Sequence, residues 1–75
     1  MNRKLKVFKY KSDNRTFLIE EDLPDVGWYL YVYENGVCIN DYLQDDLAII
    51  KEIANQKFGI PNNSWIETND SKSEI

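Results

Sequence analysis

Between Trp28 and Glu34 tyrosine alternates with Trp28, Leu30 and Val32. A second β-prone run follows from Val37 to Leu43, and Asn35-Gly36 stands between them. Two such runs joined by Asn-Gly predict a hairpin with a type I′ turn, because both turn positions need positive φ and these two residues tolerate it best. A two-residue loop also sets register: Glu34 with Val37, Tyr33 with Cys38, Val32 with Ile39, Tyr31 with Asn40, Leu30 with Asp41 and Tyr29 with Tyr42. The period of two then sorts the side chains. One face takes Trp28, Leu30, Val32, Val37, Ile39 and Leu43. The other takes Tyr29, Tyr31, Tyr33, Cys38, Asn40 and Tyr42. Asp41 is the misfit, a carboxylate on the aliphatic face opposite Leu30.

After the hairpin the apolar period lengthens. Leu47, Ile49, Ile50, Ile53, Ala54 and Phe58 cover about half of a helical wheel, which predicts an amphipathic helix. Asp45 is the expected N-cap with Asp46 at the first helical position. Lys57 suits the C-terminal end of the dipole, and Gly59 followed by Pro61 ends the helix. Its broad apolar stripe fits the aliphatic face of the hairpin. Upstream, Lys4–Lys11 and Arg15–Glu21 read as two more strands joined by the turn formers Ser12-Asp13-Asn14. With Asp13-Asn14 at the tip, Phe8 and Tyr10 oppose Ile19 and Phe17.

A loop with Asp22, Pro24, Asp25 and Gly27 connects the two hairpins. Pro61–Ile66 is expected to tie itself to the body through Trp65 and Ile66, and 67–75 reads as a disordered polar tail. The expected architecture is α+β: a four-stranded antiparallel sheet, a β-β-β-β-α meander, with one C-terminal helix packed on one face. Residues 1–66 form a single small domain. A chain this short buries only about 60% of its unfolded surface, so self-association is an alternative source of stability.

Composition narrows the function. Hydrophobic residues make up 43% of the 75-residue chain and charged residues 29%, as in an ordinary folded domain. The apolar stretch Trp28–Tyr33 falls far short of the roughly 20 residues that cross a bilayer, and no signal-peptide core follows the basic N-terminus. With a single cysteine, Cys38, no intrachain disulfide forms, and the expectation is a cytoplasmic protein with no membrane partner.

Net charge is −4, yet residues 1–15 hold six of the nine bases and only one acid, whereas the other sixty residues hold three bases and twelve acids. The acidic balance disfavours nucleic acid, leaving only a weak binding mode through the basic N-terminal strand. Two readings of the split stand side by side. Opposite charges face each other across neighbouring strands or guard a sheet edge, or the acidic side steers a basic partner.

The chain has no histidine, which removes Ser-His and Cys-His catalysis and histidine metal sites, so a non-enzyme without metal or cofactor is expected. Cys38, mid-strand beside Tyr33, reads as a structural thiol. The surface with most to offer is the phenol face, Tyr29, Tyr31, Tyr33 and Tyr42, with Glu20, Glu21, Asp22, Asp25 and Glu34 as an acidic rim. Aromatic anchors inside a charged rim are the usual anatomy of a protein contact. The same phenols also satisfy the demands of an ordinary strand surface, and Trp65 with Ile66 folding back over them would close it.

From Gly27 to Trp65 the Trp-Tyr-Leu-Tyr-Val-Tyr-Glu-Asn-Gly hairpin, the Asp-Tyr-Leu-Gln-Asp-Asp-Leu helix start and the Lys-Phe-Gly-Ile-Pro…Ser-Trp exit resemble a group of short bacterial proteins of uncharacterised function. The resemblance implies a bacterial cytoplasmic origin and carries over nothing about activity or site residues. From the phenol face, its acidic rim and the missing histidine, the expectation is a small non-enzymatic protein-binding module, for instance an inhibitor, immunity or antitoxin-like protein for a basic partner. A structural homo-oligomer is the alternative.

Overall fold

The computed structural model of the chain describes residues 6–22 and 27–68. In chain order the elements are β1 (Val7–Ser12), β2 (Arg15–Glu21), β3 (Trp28–Glu34), β4 (Val37–Gln44), α1 (Leu47–Phe58) and β5 (Ile66–Thr68). They form one antiparallel sheet in the order β4-β3-β2-β1-β5. The α+β class and the four-strand meander hold, and β5 is an addition to them. Glu67 and Thr68, expected in the tail, pair with Phe8 and Val7. Residues 69–75 of that tail, and Pro24 and Asp25 of the loop, lie outside the described residues.

Turn chemistry sets the first hairpin as anticipated. Asp13 takes φ 46°, and Phe8 pairs with Ile19 and Tyr10 with Phe17. In the second hairpin Asn35 and Gly36 have φ 54° and 82°, and Glu34–Val37 and Tyr33–Cys38 pair as predicted. One step further the ladder slips. Val32 pairs with Asn40, not Ile39, and every later pair is displaced by one: Tyr31 with Asp41, Leu30 with Tyr42, Tyr29 with Leu43. The extra residue is a β-bulge at Ile39, across which the Cys38 thiol donates to the Asn40 carbonyl at 3.5 Å.

With a side-chain period of two, this slip exchanges the faces of the second half of β4. Asn40 and Tyr42 turn to the helix side and Asp41 and Leu43 to the other, the reverse of the sequence expectation. The physical gain is plain. The even register would bury the Asp41 carboxylate under α1, whereas the bulge places the Tyr42 ring there, 6.3 Å from that of Phe58.

α1 lies over β3 and β4, and its cap differs by one residue from expectation. Asp46, not Asp45, is the N-cap: its backbone is extended and its carboxylate accepts from the Ala48 N–H at 3.3 Å. Gly59 closes the helix in the left-handed conformation, and its N–H donates to Asn55 O at 2.9 Å. Beneath the helix Phe17, Ile19, Leu30, Val32, Ile50, Ala54 and Ile60 form the core, flanked by Phe8, Tyr10, Trp28, Tyr42 and Trp65. Trp65 therefore packs on the helix side, against Tyr10 at 6.1 Å, and not over the phenols. Ile66 is exposed.

Candidate functional site

The face of the sheet away from α1 carries Val7 and Lys9 from β1, Thr16, Leu18 and Glu20 from β2, Tyr29, Tyr31 and Tyr33 from β3, and Asp41 and Leu43 from β4. Three of the four expected tyrosines therefore share a face. Tyr42, which the bulge turns to the opposite side, does not. The three phenols are only partly accessible. Tyr31 is 6% exposed and Tyr33 7%, gathered with Val7 and the fully buried Leu18 into a second small core against which Tyr29 packs. Tyr29 and Tyr31 stack with ring centroids 5.4 Å apart and planes 11° from parallel. The rings lean on one another and on the shorter aliphatic groups, so most of their area is spent within the domain. This face is chiefly a second packing layer.

Its electrostatics follow from the same burial. Tyr31 has its pKa pushed up to about 12, first because burial opposes the phenolate and then because the Glu20 carboxylate, the Tyr29 and Tyr33 phenols and Asp22 repel it. The Tyr33 phenol is raised as well, again by burial first, then by Cys38 and Glu20. A raised phenol favours the folded state while it stays protonated. The contribution of Tyr31 is thus fully present below the ordinary tyrosine value of 10 and is lost as pH climbs through about 12. Alkaline titration followed by phenolate absorbance should show one ring ionising last, with resistance to urea falling over the same interval. In Tyr31→Phe that last step should vanish; its persistence would assign the late titration to another ring.

The expected acidic rim is not one rim. Glu34 sits at the turn end of β3, opposite Arg15, with Nε–Oε1 at 3.6 Å, and accepts from Asn14 Nδ2 at 3.4 Å. Glu20, Glu21 and Asp22 lie at the other end of the sheet. The Glu21 carboxylate accepts the Lys6 backbone N–H at 3.1 Å, and the Asp22 N–H donates to Gly27 O at 2.9 Å. Glu20 faces the phenols and Glu21 the helix side. Asp25 lies outside the described residues. The Arg15–Glu34 pair supports the plainer account of the charge split, opposite charges meeting across adjacent strands.

The surface that the pattern did not single out is β4. It is the outermost strand, and among the described residues no strand lies on its outer side. Six of its eight residues are exposed. Val37 is 62% and Leu43 47% exposed, with Ile39 between them also exposed. Ile49 of α1 adds to this region. Ile50 points into the core and Lys51 holds its ammonium 5.2 Å from the centre of the Phe8 ring, on the β1 side. At about 100° per residue, Ile49 must then lie on the opposite flank, above β4. The misfit of Asp41 in the even register was the one sequence signal that could have revealed this arrangement.

A cleft of about 530 Å³ lies at the turn end, between the β1–β2 turn and the end of α1, lined in part by Tyr10, Arg15, Phe17, Lys57 and Phe58. Its Arg15 is already engaged by Glu34. No described helix is long and apolar enough to cross a membrane. No protein-family model, curated protein or solved structure matches the chain.

Proposed function

We propose that this chain is a small non-enzymatic protein-binding module, acting in the cytoplasm, whose contact surface is the β4 edge together with the Ile49 flank of α1. The observation that carries the reading is the placement of exposed Val37, Ile39 and Leu43 on an outermost strand. Outermost strands are commonly shielded by lysines, prolines or a covering element, because their free backbone groups invite another chain. The opposite edge is managed by other means: the three-residue β5 covers β1 over Val7–Lys9, and beyond it β1 continues with Lys11. On β4 there is neither lysine nor proline.

The tyrosines enter this reading as support. Tyr29, Tyr31 and Tyr33 stiffen β3, the strand to which β4 is paired, and so hold the edge in place. A rigid edge loses little entropy on binding.

Affinity capture from the native host, with the full chain as bait, tests the proposal against a Val37→Lys/Leu43→Lys bait shown by circular dichroism to be folded. Both side chains are exposed, so the double variant should keep its fold. The expected result is a protein retained by the native bait and lost from the variant. Recovery of the same proteins by both baits would place the contact elsewhere and remove the β4 edge from consideration.

A further inference from the structure

We propose that β4 binds its partner by strand addition: an extended segment of another protein lies antiparallel along Asn40–Gln44, with a Lys or Arg opposite Asp41 and apolar residues opposite Leu43 and beneath Ile49. This rests on the β4 edge being the contact surface and specifies the chemistry of what it meets.

Geometry selects the stretch. The bulge at Ile39 bends β4 and breaks the regular spacing of its outer backbone groups, the usual device against pairing along a whole edge. Beyond it, Asn40–Gln44 pairs residue for residue with Trp28–Val32, so its outer side presents the regular spacing that an added strand requires. Antiparallel addition continues the pattern of the sheet and is slightly favoured per residue over parallel.

Side chains then define the occupant. On the phenol side the edge shows Asp41 and Leu43, a carboxylate and an exposed aliphatic group two residues apart. On the helix side the exposed Ile49 lies on the flank of α1 turned away from Lys51 and Phe8, an apolar group on the β4 side of the helix. Charge decides between a second copy and a different chain. Residues 37–50 hold Asp41, Asp45 and Asp46 and no base, so two such edges would bring like charges together on molecules that are each −4 overall. A basic segment converts the same groups into attraction and faster encounter. The segment it describes carries a base and a β-branched residue two positions apart on one face, with an apolar residue between them on the other.

A synthetic peptide, Thr-Lys-Val-Ile-Arg-Val-Lys, is a suitable probe, with two controls of equal charge. One carries backbone N-methyl groups on the edge that would face β4, and the other carries them on the opposite edge. The expected result is saturable binding of the unmodified and outer-methylated peptides, slowed amide exchange confined to Asn40–Gln44, and loss of both effects with the inner-methylated peptide. Asp41→Lys should weaken binding about tenfold, and a peptide with Glu in place of Arg should recover it.

Equal binding of all three peptides would mean attraction by charge alone, overturning strand addition while leaving the edge as a contact surface. Absence of peptide binding, with host capture still abolished by the Val37→Lys/Leu43→Lys variant, would do the same. Concentration-dependent dimerisation that protects the Asn40–Gln44 amides without peptide would make a second copy the occupant, and overturn the basic partner. Host capture unaffected by the double variant would sink the edge itself, and this inference with it.

Discussion

Leu30→Ala should cost about 3–4 kcal/mol, the range found when a fully buried leucine is truncated and its cavity only partly collapses. Leu30 is wholly inaccessible in β3, between Ile19 and Tyr42, and belongs to the cluster that includes Ile50 of α1. A domain of this length commands only several kcal/mol in total, so the variant should be close to half unfolded at physiological temperature. Leu43→Ala is the companion measurement. In the even register Leu43 would face the helix, and its truncation would carry a core-sized penalty. With the bulge it is exposed on the far face, so its loss should cost less than about 1 kcal/mol. Urea denaturation of both variants reads the difference directly. Equal losses would contradict the bulged alignment on which the position of Asp41, and hence the partner chemistry, depends.

Gly27→Ala should be comparably severe, at about 3 kcal/mol, for a reason unrelated to hydrophobic burial. Gly27 precedes β3 with φ 139°, a conformation that L side chains rarely adopt, and a Cβ there would stand 2.6 Å from the Gln44 backbone oxygen and 3.2 Å from Leu43 Cδ1. The carbonyl belongs to the strand backbone and has no soft way to retreat. Gly36 is the contrast. Its φ of 82° also favours glycine, but an added Cβ meets nothing within 4 Å, so Gly36→Ala should lose only the conformational preference, about 1 kcal/mol. A Gly27→Ala protein as stable as Gly36→Ala would show that β3 and the end of β4 do not approach as described.

These two positions separate what local chemistry dictates from what assembly dictates. The Asn35-Gly36 corner, the Asp13-Asn14 turn, the Gly59 stop and the periods of the strands and of α1 are properties of a few neighbouring residues, and each was legible as such. The close approach of Gly27 to Gln44 was not, because it joins residues far apart in sequence that meet only when the hairpin closes its open end. Asp46 in place of Asp45 as cap is a milder case. Both aspartates satisfy the chemistry of a helix start, and the choice depends on where β4 releases the chain.

The candidate site divides in the same way. Tyr29, Tyr31 and Tyr33 on one face follow from alternation within a single strand. That their rings are spent on Leu18 and Val7 depends on β1 and β2 lying beside them. Tyr42 was misplaced because alternation counted through the turn does not register an inserted residue. The short β5 was missed because a stretch of three residues beside β1 draws its pairing from the neighbouring strand and not from any pattern of its own.

By itself, then, the order of residues determined the elements, the α+β class, the pairing of each hairpin near its turn and the lack of imidazole chemistry, since all of these arise from interactions over a few positions or from composition. Only tertiary structure decided which strand is outermost, which face is filled and where the ladder slips. The cause of that slip is a competition between distant groups: the chain accepts one unpaired residue at Ile39 so that an aromatic ring and not a carboxylate lies beneath α1. The same step leaves Asp41 and Leu43 together on an edge that no described strand covers.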